Sequence, residues 1–133
     1  MEILTWSDAM AVGVPEIDDA HRVLIGELAR LQAGPDRDLP SGVARLLLML
    51  EADFQGEEAL MTAIAYPDRR QHCAQHARVL ESFRQLAPGD CASMRRLLAL
   101  MPRWFCFHLT GMDRALALAA ALAGHVERQG APA

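Results

Sequence analysis

The stretch "EADFQGEEALM", Glu51 to Met61, reads as the middle of a helix, yet Asp53 and Glu57 fall where its apolar stripe should run. No other feature constrains the fold as strongly. Burying one ionisable group without a partner costs several kcal/mol, and burying several would unfold a small domain. A chain that turns carboxylates toward its core must also bring them partners.

The partners lie on other helices. β-branched residues are scarce and Ala, Leu, Arg and Glu abundant, which favours helix. Punctuation at "VGVPEIDD", "AGPDRDLPSG", "AYPDR" and "LAPGD" divides the chain. It predicts helices over 17–33, 40–64, 69–86 and 91–109, the last with Pro102 inside it and a kink expected there. Thr110-Gly111 is expected to break that helix, before a short Ala/Leu helix over 113–124. Short connections between helices of similar length imply antiparallel neighbours. The expected fold is all-α: an up-down-up-down four-helix bundle with a short C-terminal helix, forming one domain over 1–133.

Helical periodicity gives each helix an inward stripe. The first runs Ile17, His21, Leu24, Leu28, Leu31. The second runs Leu46, Leu50, Asp53, Glu57, Leu60, Ile64. The third runs His72, His76, Val79, Phe83, Leu86, and the fourth Leu97, Met101, Trp104, His108. Every long helix thus delivers one or two ionisable groups inward. Ion pairs are one way to satisfy them, but the inward set holds no Arg, the residue a buried ion pair would use. Metal ions are a better answer to a set rich in imidazole and carboxylate.

The spacing agrees. Asp53 and Glu57, like His72 and His76, are four apart and share a helix face. His108 and Asp113 are five apart; they diverge on a continuous α-helix and converge if the chain breaks at Thr110-Gly111. Four His and three acids exceed what one tetrahedral zinc takes. Nitrogen and oxygen donors without thiolate point to iron, with manganese as the alternative. Each residue alone also has a plain reading: HxxxH is common, His21 follows helix-starting acids, and Asp113 suits a helix cap. Glu51 and Glu58 read as a solvated face.

Composition limits the remaining function classes. The net charge is −4, all thirteen basic residues are Arg, and no basic cluster suggests nucleic acid or an anionic membrane. The first ten residues lack a signal-peptide pattern. The most apolar segment, from Ala115, is too short to span a bilayer. Cys73, Cys91 and Cys106 fit no CxxC pattern and read as reduced thiols of a cytoplasmic protein. No substrate pocket or second domain is evident.

"VGVPEIDDAHRVLI", "DFQGEEALM…YPDRRQHCAQH" and "WFCFHLTGMD" together resemble bacterial single-domain hemerythrins, from Trp6 to about Asp113. The resemblance implies a carboxylate-bridged di-iron site with an oxygen bridge from solvent. His72, His76 and His108 would hold one iron and His21 the other, with Glu57 and Asp113 bridging. Dioxygen, or another small diatomic, would bind at the iron with fewer protein ligands, in a monomer serving oxygen transport, storage or sensing. The family's block begins HFxxEE; here it reads "DFQGEE", so Asp53 stands where a ligand histidine is expected. That departure leaves open an enzyme reducing oxygen, peroxide or nitric oxide, or a redox-sensing adaptor.

Overall fold

The computed structural model describes residues 3–125, so the two ends of the expected domain, residues 1, 2 and 126–133, lie outside the described residues. Five α-helices follow in order: α1 Pro15–Ala33, α2 Leu39–Ala63, α3 Arg69–Arg84, α4 Cys91–His108 and α5 Arg114–Leu122. Single 3₁₀ turns at Asp8–Met10 and Asp36–Asp38 precede α1 and α2. No strand occurs among the described residues. The fold is the expected four-helix bundle.

Local chemistry explains the boundaries. Pro15 opens α1, where its missing N–H would have no helical partner. The buried Asp18 carboxylate accepts from the N–H groups of Val12 (2.8 Å) and Gly13 (3.1 Å), pinning the N-terminal segment to the helix. At the other end Arg95 donates to the carbonyls of Leu31, Gln32 and Gly34 at 3.1, 3.2 and 2.6 Å. It thereby satisfies the exposed end of α1 from α4. Asp90 caps α4 by accepting from the Ser93 N–H at 3.0 Å. Gly42 brings α2 against α1; a Cβ there would stand 2.1 Å from Leu31 Cδ2.

The expected break at Thr110-Gly111 is not there. Helix α4 runs through Pro102 and passes into a π turn, Leu109–Asp113, that joins it directly to α5. The widened turn lets the backbone bond five residues back instead of four, so it shifts phase without stopping the helix. The result is one continuous helix, Cys91–Leu122, long and apolar enough by length and composition to cross a membrane. Its buried residues Leu98, Phe105, His108 and Asp113 face the other helices, as a bundle's core helix does. The apolar end read as a short separate segment is the last third of this helix.

The apolar core falls into two clusters. The larger includes Leu24, Leu28, Leu46, Leu50, Phe54, Val79, Phe83, Leu98, Phe105 and Leu109. The smaller gathers Val14, Ile17, Met61, Leu116 and Ala117. Along every long helix the ionisable inward residues lie between members of these clusters or at their edge. The polar layer is therefore a slab inside the bundle, closed from both ends by apolar side chains.

Candidate metal centre

All seven residues singled out from the sequence meet in this slab. His21, Glu57, His72, His76, His108 and Asp113 are at most 2% exposed, and Asp53 is 8% exposed. Helices α1, α2 and α3 and the junction of α4 with α5 each supply part of the set.

The donor atoms form two groups that share carboxylates. In the first, His108 Nε2 lies 3.1 Å from both His72 Nε2 and His76 Nε2. Glu57 Oε1 is 3.0 Å from His72 and from His76. Asp113 Oδ1 is 3.2 Å from His72 and 3.1 Å from His108. In the second, His21 Nε2 faces Glu57 Oε2 at 3.1 Å, Asp113 Oδ2 at 3.3 Å and Asp53 Oδ2 at 3.6 Å. Glu57 and Asp113 each direct one oxygen to either group, as bridging carboxylates do. The π turn makes this pairing: residues five apart come over one another, so Asp113 reaches back to His108.

Protein hydrogen bonds do not satisfy this cluster. His76 Nδ1 faces Glu58 Oε2 at 2.9 Å and His108 Nδ1 faces Gln75 Oε1 at 3.0 Å. Both partners accept, so in a neutral imidazole the proton sits on Nδ1 and the Nε2 lone pair points into the cluster. Lone pairs then face one another and two carboxylates. Both oxygens of the fully buried Asp113 also lack a hydrogen-bond partner. A cation resolves both conflicts. Adjacent ligand atoms on an octahedral ion with bonds of about 2.1 Å stand about 3.0 Å apart, against about 3.4 Å on a tetrahedral one. The distances from Glu57 Oε1 and from His108 Nε2 to His72 and His76, 3.0 and 3.1 Å, match the octahedral spacing, while Glu57 Oε1 and His108 Nε2 themselves stand 3.6 Å apart. The donor set fits a hard-to-borderline transition metal such as iron.

Without metal, protons take the cation's place. Burial pulls the His108 imidazole down, but the Asp113 and Glu57 carboxylates more than offset this and raise it to about 9. Burial likewise opposes, and carboxylates outweigh, in raising His21 and His72. Burial pushes Glu57 up, yet the imidazoles of His108, His21, His72 and His76 hold it well below the usual carboxylate range. Asp53 moves the other way. Burial first, then the Glu57 charge, pushes it up to about 8, with partial relief from His21.

Aromatic rings seal the site. Phe54 stacks on His76 with ring centroids 3.9 Å apart, Trp104 stacks on His108 at 4.7 Å, and Phe105 meets His21 edge-on at 4.9 Å. Glu58, expected on a solvated face, and Gln75, which no motif singles out, instead lie behind two of the imidazoles. Their acceptors orient two of the imidazoles, a role typical of partners behind metal ligands. The only hint in the sequence is that each adjoins a ligand, Glu58 after Glu57 and Gln75 before His76. Cys73 packs partly buried against the smaller apolar cluster, while Cys106 is exposed. The structure also contains a cleft of about 570 Å³ beside Asp53, where no pocket was evident from sequence. His125 also lines that cleft.

Comparison with known proteins gives the same answer from another direction. No family profile matches the chain, and no solved structure matches it. A bacteriohemerythrin from Ralstonia nicotianae is 31% identical over 118 residues, covering 86% of this chain and 86% of the relative. A second, from Stenotrophomonas maltophilia, is 29% identical over 130 residues, covering 88% of this chain and 81% of that relative. With a four-helix bundle, histidines and carboxylates gathered in its core, and a relative of this identity along most of its length, the chain belongs to the bacterial hemerythrin family.

Proposed function

We propose that the protein is a non-haem di-iron protein that binds dioxygen. The observation that carries this reading is the pair of donor groups sharing Glu57 and Asp113, each carboxylate offering one oxygen to either group. His72, His76 and His108, with the two shared carboxylates, would hold one iron. His21 and Asp53, with the same carboxylates, would hold the second, a solvent oxygen completing the bridge. Bound there, the irons would supply one-electron redox chemistry and an affinity for small diatomics. The protein's own part is to hold the ligands in place through Glu58 and Gln75 and to keep bulk water away with Phe54, Trp104 and Phe105. We further propose a monomer acting in the cytoplasm, without nucleic-acid or membrane partners.

Asp53 sets this chain apart. Compared with an imidazole in that place, one more carboxylate takes a ferrous pair with one hydroxide from a single net positive charge to neutral. Added negative charge in a water-poor core favours the ferric ions. The protein should therefore oxidise in air faster than its own Asp53→His variant. This supports a second reading, an enzyme that reduces oxygen, peroxide or nitric oxide, for which the cleft beside Asp53 leaves room.

Iron per chain, followed by the visible spectrum as air is admitted to the reduced protein, separates the outcomes. Two irons and a band that reverses under vacuum establish oxygen binding. Two irons passing directly to a ferric spectrum establish the redox reading. One iron or none overturns the di-iron assignment.

A further inference from the structure

The cleft between α1 and α2 opens onto the Asp53 edge of the centre. Asp53 and Glu57 lie at its base, flanked by Ile17, Leu60, Ala52 and Gly56. Its volume, about 570 Å³, falls within the roughly 300–1,000 Å³ typical of small-molecule sites. A diatomic needs far less, since even a water molecule occupies only about 30 Å³ in the liquid.

A buried carboxylate at the cleft points to an occupant. Asp53 is 8% exposed and accepts no hydrogen bond from any described residue; its nearest basic atom is His21 Nε2, 3.6 Å away. A carboxylate buried to this degree ordinarily has a donor. Gly56 lies on the exposed side of the cleft with nothing within 4 Å of a Cβ built there, so this position accepts a larger side chain that would narrow the cleft.

We propose that this cleft binds a small neutral organic molecule with an apolar body and one hydroxyl, of phenol size, whose O–H donates to a carboxyl oxygen of Asp53. Three acids, Asp53, Glu57 and Glu16, line the cleft against a single basic residue, His125, and this excess of acid disfavours an anion. Charge offset by metal at Asp53 and Glu57 leaves little to attract a full cation, and the alanine and leucine walls would desolvate one. The inference deepens the proposed function by adding an organic ligand beside the iron nearer Asp53, and to that extent rests on it.

The test is calorimetric titration of phenol and of benzoate into the full chain, both metal-free and iron-loaded, for wild type and Gly56→Leu. One saturable phenol site is expected in both forms of the wild type, with benzoate at least tenfold weaker. Leucine at position 56 should abolish phenol binding while the melting temperature holds or rises, since leucine is the better helix former. Ala52→Leu is the second blocking variant should Gly56→Leu fold poorly. An absence of saturable phenol binding, or binding unchanged in both variants, overturns the proposal. Because the metal-free titration reads the cleft alone, failure to load iron would count against the di-iron reading and not against the cleft.

Discussion

On one side of the shared carboxylates, His72 and His76 each bring Nε2 to 3.1 Å from that of His108, with His76 and His108 stacked on aromatic rings and held from behind by Glu58 and Gln75. On the other side, His21 and Asp53 stand 3.6 Å apart, Asp53 has no hydrogen-bond partner among the described residues, and a cleft adjoins it. Helix α2 and the α4–α5 junction serve both sides, whereas α3 serves only the first and α1 only the second. One side is defined by more contacts than it needs and the other by fewer, which teaches that the bundle can hold a metal firmly while leaving an adjacent position adjustable.

Removing what the two sides share should have the largest effect. Asp113→Ala takes a carboxylate from both groups at once, so iron per chain should fall from about two to well below one by elemental analysis. The melting temperature should fall with it, because metal that binds only the folded state stabilises it. Chelation of the unmutated protein should reproduce most of that drop.

The metal-free protein then exposes the weaker side through pH. Folding raises the Asp53 pKa to about 8, above the value near 4 of an unfolded aspartate. The folded state therefore holds that proton more tightly, and stability falls as pH rises from about 4 to about 8. Asp53→Asn should remove this slope, so its advantage in melting temperature over the metal-free wild type should grow across that interval. His108, raised to about 9, stabilises the metal-free fold below pH ~6.5 and loses that contribution as pH passes 9.

Smaller effects sharpen the contrast. Glu58→Ala or Gln75→Ala should weaken iron binding by about 10- to 100-fold in competition with a chelator, the usual effect of losing a partner behind a ligand. Asp53→His should slow air oxidation of the reduced protein by about tenfold, equivalent to about 1.4 kcal/mol, seen as a longer time to the ferric spectrum. An equal or shorter time would refute the charge argument. Arg95→Ala, far from the centre, should lower stability by about 1–2 kcal/mol through lost carbonyl contacts while iron content stays unchanged.

Much of this was legible beforehand because helices advertise themselves. Prolines, glycines and acids at the loop ends placed the starts of all four long helices within two residues of where they lie, and the inward phase of His21, Glu57, His72 and His76 followed from periodicity. The fourth stripe was read partly one residue off: Leu98 and Phe105 are buried while Leu97 and Trp104 are half-covered. A stripe several residues wide leaves that choice to neighbouring helices. The π turn was invisible because Thr-Gly in a helical run resembles a stop, and nothing local distinguishes a stop from a widened turn. Glu58 and Gln75 point away from the stripe, so periodicity could not nominate them. The cleft is made by what Gly56 and Ala52 lack, and an absence of side chain reads in sequence only as composition.

Seen as a matter of inheritance, the turn Leu109–Asp113 is one extra residue threaded into a helix. Deleting Gly111 would let the span close as ordinary α-helix with the aspartate four residues after His108, still on the same face, and with Leu116, Ala117 and Ala120 keeping their relation to it. The turn is thus a place where the chain can be one residue shorter and keep both the carboxylate and the final helix in place.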